Sequence, residues 1–328
     1  MTIKSSGNPL AFSEIETEFG ANGTRSLGSY RLTQSVGTLS NLPLDTGIPT
    51  SGQIKFSDFY GKQLNIVVDC HSGGREDRIT AKNDKWNNNN LTVIGGFRSK
   101  KEGGSKIYIN VNKKFCSDKN NVNNCALKTG SWDSTATVQV DLGSNAKVFG
   151  AGGDGGNGAN GINNSGSPGG SGTSGLGIDT NNVTVNIASG AIIRAGFGGG
   201  GGGGGGSQQD KNADRRASGG GGGGGAGFPA GNGGQPGNGC ANGSSGSSGN
   251  ETTAGDGGGG GNNGNQAYGA TGGEGGQFGE AANGGGSSQA GGGSGGGDGA
   301  AIRRTSGFSV TINNNGTIQG DQNATGVS

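Results

Sequence analysis

The middle of the chain alternates hydrophobic and polar residues with the two-residue period of β-strands. Val138, Val140 and Leu142 alternate with polar neighbours, which places one face of a strand against a core. Short β-branched runs of the same kind are separated by Gly, Asn and Asp, as strands are by turns. These runs predict strands at residues 64–68, 91–94, 106–111 and 135–142.

A strand-turn-strand unit recurs along the second half of the chain. It reads ATVQVDLGSNAKVFG at residues 136–150, NVTVNIASGAIIRAG at 182–196 and FSVTINNNGTIQG at 308–320. The units frame two glycine-rich segments, residues 150–180 and 196–300. Free linkers would not need such regular anchors, so the repeat favours an ordered structure between them.

The first 62 residues predict a small helical or irregular module with an internal echo. LAFSEI at residues 10–15 returns in form as IKFSDF at residues 54–59. In both, an aromatic residue precedes Ser and an acid, which is typical of a helix N-terminus, and Ser13 with Glu16 fits a capping box. We expect the apolar residues of this module to attach it to a partner, with a private mini-core as the alternative. They are Phe12, Ile15, Phe56, Phe59 and Tyr60.

Glycine dominates the rest of the chain. Most of the 83 glycines lie between residues 150 and 299, with unbroken runs at 198–206 and 219–225. Glycine has no side chain to bury, and its backbone is costly to order, so hydrophobic burial cannot hold this region together. The region is therefore either disordered or held by backbone hydrogen bonds between adjoining extended segments. The strand repeats favour the second alternative.

The ordered form that suits polyglycine is a left-handed, threefold extended helix, packed side by side where no Cβ intervenes. A collagen-type triple helix needs strict Gly-X-Y and abundant proline, whereas this chain has 6 prolines and irregular runs. We predict a fold that is mainly β plus a glycine-rich polyglycine-II helix sandwich, with a small helical or irregular N-terminal module. The predicted domains are residues 1–62, 63–149 and 150–328.

Charge and cysteine content narrow the functional classes. A formal net charge of +1 gives no general attraction to nucleic acid or membranes. The sequence shows no leader peptide and no apolar run of membrane-spanning length, so we expect synthesis in a cytosol and no membrane insertion. The 4 cysteines are too few for a disulfide scaffold. Cys116 and Cys125 bracket a polar loop and are either free thiols, the favoured alternative, or a disulfide.

Motifs for catalysis and cofactors are missing or occur by chance. G-x-G-x-x-G matches are expected in glycine runs and lack a strand-loop-helix context, and no P-loop is present. GGSGG at residues 292–296 fits the nucleophile-elbow pattern without its strand. The residues at 69–72, DCHS, are expected to form a surface turn, and GGDGGN at 152–157 has little likeness to a calcium repeat. We expect no enzyme activity, no cofactor and no metal, and no RNA binding, since Arg-Gly dipeptides are absent.

Polar and aromatic interruptions of the glycine runs are the candidate recognition residues. Loops on a stiff scaffold contact a ligand with a small loss of order. Solvated turns without a ligand are the alternative. The candidates are Gln208, Gln209, Asp210, Lys211, Arg215, Arg216, Asn250, Glu251, Tyr268 and Phe278.

The glycine-rich part resembles bacteriophage tail-fibre adhesins with polyglycine domains, including those of T-even-like phages, and some tail-tip proteins. The segments that carry the resemblance are AGGDGGNGANG, NNVTVNIASGAIIRAGFGGGGGGGGG, GGGGGGGAGFPAGNGG and VTINNNGTIQG. PTSGQIKFSDFYGK at residues 49–62 is similar to segments near the start of phage structural proteins. In those adhesins, loops at the far end of stacked polyglycine helices bind a bacterial surface receptor.

The resemblance implies a non-enzymatic component of the virion tail, made in the host cytoplasm. Its expected partners are a protein or glycan receptor on the bacterial surface and other tail or fibre proteins, and a homotrimer is one candidate assembly. The alternative is a purely structural fibre component or an ice-binding-type polyglycine protein without receptor contact. The strand repeats before the glycine runs depart from the T-even type and leave the mode of attachment open.

Overall fold

The structure, a computed structural model, is mainly β with one helix among the described residues. It describes residues 3–19, 26–36, 39–70, 91–93, 104, 106–119, 121–130, 132–161, 163–210, 213–262 and 267–327. Helix α1 is Phe12–Phe19, and 3-10 turns lie at Leu27–Tyr30 and Phe56–Phe59. The strands are β1 Thr33–Val36, β2 Leu39–Pro43, β3 Ile66–Asp69, β4 Leu91–Val93, β5 Lys106–Val111, β6 Lys114–Cys116, β7 Cys125–Lys128, β8 Thr137–Leu142, β9 Lys147–Phe149, β10 Ser174–Ile178, β11 Val183–Ile187, β12 Ile192–Arg194, β13 Gly206–Asp210, β14 Ala213–Ala217, β15 Ile302–Arg304, β16 Val310–Asn314, β17 Thr317–Gln319 and β18 Ala324–Thr325.

Three sheets, parallel except for the β3–β4 pair, form a solenoid. The strand orders are β16-β11-β8-β5-β3-β4, β17-β12-β9-β6 and β18-β15-β10-β7. The chain passes from the first sheet to the second and then to the third. It then returns to the first sheet, one turn further along the solenoid. We call this assembly of β3–β12 and β15–β18 the solenoid.

The repeated units of the sequence stack in register in the solenoid. Val183 of β11 pairs with Val138 of β8 on one side and with Val310 of β16 on the other. Ile193 of β12 likewise pairs with Val148 and Ile318. The repeat therefore predicted neighbours in space, because identical alternation places each apolar row above the last.

The interior of the solenoid is the main hydrophobic core. Its inward rows are aliphatic, and Val140, Val185 and Ile193 are fully buried. The predicted strands at residues 64–68, 91–94, 106–111 and 135–142 are confirmed with small shifts of their bounds. β6 and β7 were missed, since their few residues show no clear alternation.

The N-terminal module has its own core. Ile15, Phe19, Tyr30 and Phe59 are fully buried, and the three aromatic rings meet edge-on. Val67 of β3 belongs to the same cluster. The module therefore packs directly on the first sheet of the solenoid.

The sequence echo produces the same local structure twice. Ala11 N–H donates to the Glu14 carboxylate at 2.7 Å, and Lys55 N–H donates to the Asp58 carboxylate at 2.7 Å. In each case the acid lies in the first turn and satisfies a backbone group that the helix leaves open. The predicted cap at Ser13 is wrong by two residues, because α1 already begins at Phe12.

Glycine-rich chain enters and leaves the solenoid between its second and third sheets. Residues 150–173 connect β9 to β10, and residues 195–301 connect β12 to β15. We call these two segments the glycine lattice. Its extended stretches run alongside one another and are joined by backbone hydrogen bonds with a three-residue period.

The run at 196–205 displays the bonding pattern of the lattice. Gly199, Gly202 and Gly205 N–H donate to the stretch at 164–170, while Gly200 and Gly203 donate to the stretch at 220–223. The third set of amides, those of residues 201 and 204, donates to residues 283 and 286. Successive amides thus serve three different neighbours, so the hydrogen bonds extend in three directions around each buried stretch.

A side chain has no room inside the lattice. A methyl group on Gly199 would lie 2.1 Å from the carbonyl oxygen of Asp154, and one on Gly222 would lie 2.1 Å from that of Gly200. Both distances are far below van der Waals contact. Glycine is therefore required by the close approach of the backbones.

Candidate functional site

The glycine lattice has two ends of different character. The chain reverses direction at the end away from the solenoid, which we call the tip. The described residues there are 160–161, 163–166, 206–210, 213–217, 239–242, 262, 267–268 and 287–290. Turns at residues 227–230, 250–254 and 277–281 lie beside the solenoid, and we call this end the base. From Gly196 to Gly205 the extended chain covers roughly 30 Å, which separates base from tip.

Contacts between turns assemble the tip. Gly205 N–H donates to Asn164 C=O at 3.1 Å, and the Ser288 hydroxyl donates to Tyr268 C=O at 2.6 Å. Strands β13 and β14 form an antiparallel hairpin that rises from the buried runs on both sides. Tyr268 is 55% exposed next to this hairpin. The tip thus presents one aromatic side chain on a backbone fixed by the lattice.

The structure divides the predicted recognition residues between the two ends. The hairpin places Gln208, Gln209, Asp210 and Arg215 at the tip, together with Tyr268 and the exposed Arg216. The side chains from 207 to 215 and the whole of Lys211 fall outside the described structure. Asn250, Glu251 and Phe278 lie at the base instead, so the ten candidates form two separate groups.

Glu251 connects the base to the solenoid. Its carboxylate accepts a hydrogen bond from Lys114 Nζ at 2.7 Å, and its carbonyl oxygen accepts one from Arg194 at 2.9 Å. Lys114 also lies 3.4 Å from the ring centre of Phe228, and Arg194 lies over Phe149 at 5.0 Å. Burial lowers the pKa of Arg194, and Glu251 opposes this. Cations stacked on aromatic faces and paired with a carboxylate stabilise this junction.

Polar side chains at every third position complete the edges of the lattice. Asp154, Asn157 and Asn160 accept hydrogen bonds from the backbone N–H groups of residues 232, 235 and 238 at 2.7, 2.9 and 2.7 Å. Asp154 also pairs with Lys119 at 2.7 Å. The Asp154 carboxylate in GGDGGN thus accepts a hydrogen bond in place of a backbone carbonyl. The three-residue spacing of polar residues in the sequence would have indicated this role.

Asp298 is a side-chain acceptor for a backbone N–H group at the base of the lattice. Its carboxylate accepts a 2.9 Å hydrogen bond from Gly198 N–H. Burial raises the pKa of this carboxyl, and the hydrogen bond from Gly198 opposes the rise. Sequence reasoning did not single out Asp298, Lys114 or Arg194.

The predicted attachment residues have unequal access to solvent. Ile15 and Phe59 are fully buried in the N-terminal core, which is the mini-core alternative. Phe56 is 40% exposed, and its ring meets that of Phe12 edge-on at 5.8 Å. The Tyr60 hydroxyl donates to Asn8 C=O at 2.6 Å. Phe56 is therefore the member of this set that offers a free apolar surface.

The cysteines, all within described residues, are thiols rather than disulfides. Cys116 and Cys125 are buried, and burial raises the pKa of Cys125 to about 12, so its thiol stays protonated at neutral pH. In the described part of the chain, no group of three or more His, Cys, Asp or Glu could hold a metal ion. His71 lies outside that part. Among described residues no helix is long and apolar enough to cross a membrane.

A parallel solenoid that carries a hydrogen-bonded glycine lattice with exposed turns at its far end defines a display scaffold. The family model of the phage tail fibre adhesin Gp38 matches residues 76–323, more than two thirds of the chain. The chain therefore belongs to this family of phage tail fibre adhesins, a component of the virion tail. No curated protein and no solved structure matches it.

Proposed function

We propose that this protein recognises a receptor on the bacterial surface through the tip of its glycine lattice. The observation that carries the proposal is the placement of the hairpin β13–β14 and the exposed Tyr268 at the end farthest from the solenoid. Membership of an adhesin family agrees with it. A protein or a glycan fits such a surface, since aromatic and polar side chains on fixed turns bind both.

The scaffold contributes by limiting the loss of entropy on binding. The turns leave from buried backbone whose amides are bonded to three neighbours. Rigid turns lose little freedom when a ligand orders them. Several fibres on one particle add avidity through a high effective concentration.

We further propose that the lattice is a polyglycine-II sandwich. The three-residue period of its hydrogen bonds and the lack of space for a Cβ at buried glycines such as Gly199 and Gly222 support this conformation. The division into residues 1–62, 63–149 and 150–328 is proposed on composition, although strands on both sides of residue 149 share the same sheets. Synthesis in the host cytoplasm is part of the same proposal.

The N-terminal module is the proposed attachment site to the rest of the fibre. Phe56, whose ring meets that of the partly buried Phe12, presents apolar surface there. The whole of this module, residues 1–62, precedes the region that the family model matches, which begins at residue 76. A homotrimer is one candidate assembly for the attached form.

The experiment is replacement of residues 207–216 by a short glycine linker in otherwise intact phage. We expect complete particles that no longer adsorb to susceptible cells or that adsorb to a different set of strains. Replacement of Gln322 and Asn323, two exposed residues in a solenoid turn, by glycine is the control and leaves adsorption unchanged. Normal adsorption of the hairpin variant would show that the hairpin is not the receptor contact and would favour the purely structural alternative.

A further inference from the structure

The outer face of the first sheet of the solenoid carries an open groove that the tip does not explain. Two adjoining cavities of about 390 and 340 Å³ lie on this face and share Gln139. They extend across β8, β11 and β16 and end near β5. We call the two cavities together the sheet groove.

Aligned rows of polar side chains line the sheet groove. Tyr108, Gln139, Thr184 and Thr311 occupy one row, since each pairs in register with the next. The strand spacing places neighbouring members of a row roughly 4.8 Å apart. The groove therefore repeats hydroxyl and amide groups at a regular interval along its length.

A second row forms a continuous chain of side-chain hydrogen bonds. Asn313 donates to Asn186 at 2.8 Å, and Asn186 donates to Asp141 at 2.7 Å. Gln139 donates to both oxygens of Asp141, at 3.0 and 2.9 Å. Because each amide is held by its neighbour, the remaining donors and acceptors of the row are fixed before any ligand arrives.

The charged groups near the sheet groove are already paired within the protein. Asp141 is 5% exposed and accepts hydrogen bonds from two amides, and Lys106 lies 3.3 Å from Asp45. Lys106 and Asp141 are the charged residues in the described lining, so a nucleic acid or a strongly charged peptide would have to compete with their partners in the protein. The accessible groups are hydroxyls and amides, which suit a ligand rich in hydroxyl groups and low in charge.

One aromatic ring lies at the closed end of the sheet groove. Tyr108 lines the groove and also packs against the N-terminal core, so the module forms a wall beside β5. An aromatic face beside fixed polar groups binds a molecule with both apolar C–H faces and hydroxyl edges. Sugars have both.

We propose that the sheet groove binds an extended, largely uncharged glycan chain of the bacterial surface, as a second contact separate from the tip. Its regular polar rows match a repeating polymer rather than a single small molecule. The first contact of a fibre with a cell then includes both the polysaccharide at the side of the solenoid and the receptor at the tip. The two contacts on one protein would act together through their effective concentration.

The test measures binding of the full chain to a panel of purified bacterial O-polysaccharides and capsular polysaccharides. Thr311→Arg fills the groove from an exposed position on β16, and Thr317→Arg makes the same change at an exposed position on β17, outside the groove. We expect at least tenfold weaker binding for Thr311→Arg and no change for Thr317→Arg. Equal binding by the two variants, or no binding of any polysaccharide by the unaltered chain, overturns the proposal.

A second variant and a tip variant complete the design. Asn313→Ala removes the exposed end of the amide row and is expected to weaken polysaccharide binding severalfold without a change in melting temperature. The chain that lacks residues 207–216 is expected to retain polysaccharide binding while it loses adsorption. Loss of polysaccharide binding in that chain would place the glycan site at the tip and contradict the sheet groove, while leaving tip recognition intact.

Discussion

Lys114 and Glu251 are 137 residues apart in the chain and form a 2.7 Å ion pair where the glycine lattice meets the solenoid. The pair is flanked by the rings of Phe228 and Phe149, which also face Lys114. Backbone hydrogen bonds alone would leave the orientation of the glycine lattice relative to the solenoid less constrained. The ion pair and the rings fix its orientation.

Replacement of Glu251 by Gln is expected to weaken the base and leave recognition unchanged. Lys114 would lose its carboxylate partner, at a cost of about 1 kcal/mol, since the pair is partly exposed. A thermal melt is expected to shift downward by a few degrees. Glu280→Gln is the control, because Glu280 bonds to Gln277 rather than to a cation. A large loss of adsorption by the Glu251→Gln protein at unchanged stability would place Glu251 in the receptor site.

Tyr268 and Phe278 provide a matched pair for the tip. Each aromatic side chain is 55% exposed, but Tyr268 lies at the tip and Phe278 at the base. We expect Tyr268→Ala to reduce adsorption to host cells at least tenfold, and Phe278→Ala to leave it unchanged. Both proteins are expected to melt at the temperature of the unaltered chain. The opposite ranking in an adsorption assay would move the receptor contact to the base.

Two glycines of the lattice test whether close backbone packing requires them. A methyl group on Gly222 would lie 2.1 Å from Gly200 C=O, whereas one on Gly297 has nothing within 4 Å. Gly222→Ala is expected to lower the free energy of unfolding by about 3 kcal/mol or more. Gly297→Ala is expected to change it by less than about 1 kcal/mol, in the stabilising direction, because alanine restricts the unfolded chain. Chemical denaturation of both variants measures the difference.

Asp298 is expected to make the stability of the lattice dependent on pH. Its folded-state pKa is raised by burial above the ordinary value of 3.8, so the folded chain binds its proton more tightly than the unfolded chain. The tighter proton binding adds to the free energy of unfolding. This added stability is fully present below pH 3.8 and is lost as the pH rises through the folded-state pKa. Asp298→Asn keeps the acceptor for Gly198 N–H without a buried charge.

Unfolding curves over a range of pH check this account of Asp298. The Asp298→Asn protein is expected to be at least as stable as the unaltered chain at neutral pH and to show a flatter dependence on pH. Asp298→Ala is the control, and it is expected to lose about 1 kcal/mol because Gly198 N–H is left without its acceptor. An Asp298→Asn protein as unstable as Asp298→Ala would contradict this role of the carboxylate.

The sequence predicted the solenoid strands better than their arrangement. Alternation located β5 and β8, and the repeat predicted that units around Val138, Val183 and Val310 correspond. It did not predict parallel sheets, because the two-residue period is the same in parallel and antiparallel strands. The direction of pairing depends on the long crossovers, which only the complete chain path defines.

The sequence showed which polar and aromatic residues interrupt the glycine runs, but not at which end of the lattice each of them lies. Interruptions of glycine at residues 208 and 251 look alike in the sequence, yet the first lies at the tip and the second at the base. Extended stretches reverse direction at each turn, so alternate interruptions fall at opposite ends. A count of stretch lengths would have separated the two sets, and the polar residues at every third position would have indicated edge acceptors such as Asn157.

Backbone hydrogen bonds between extended glycine stretches hold the lattice together. The decisive test is hydrogen exchange of the amides at residues 198–206 and 219–225, followed by NMR of protein labelled at glycine and valine, so that Val138 and Val140 report on β8. We predict that these amides exchange orders of magnitude more slowly than in a free peptide, as slowly as those of the strand β8 in the solenoid core. Exchange at the rate of an unstructured glycine peptide, with β8 still protected, would contradict the account.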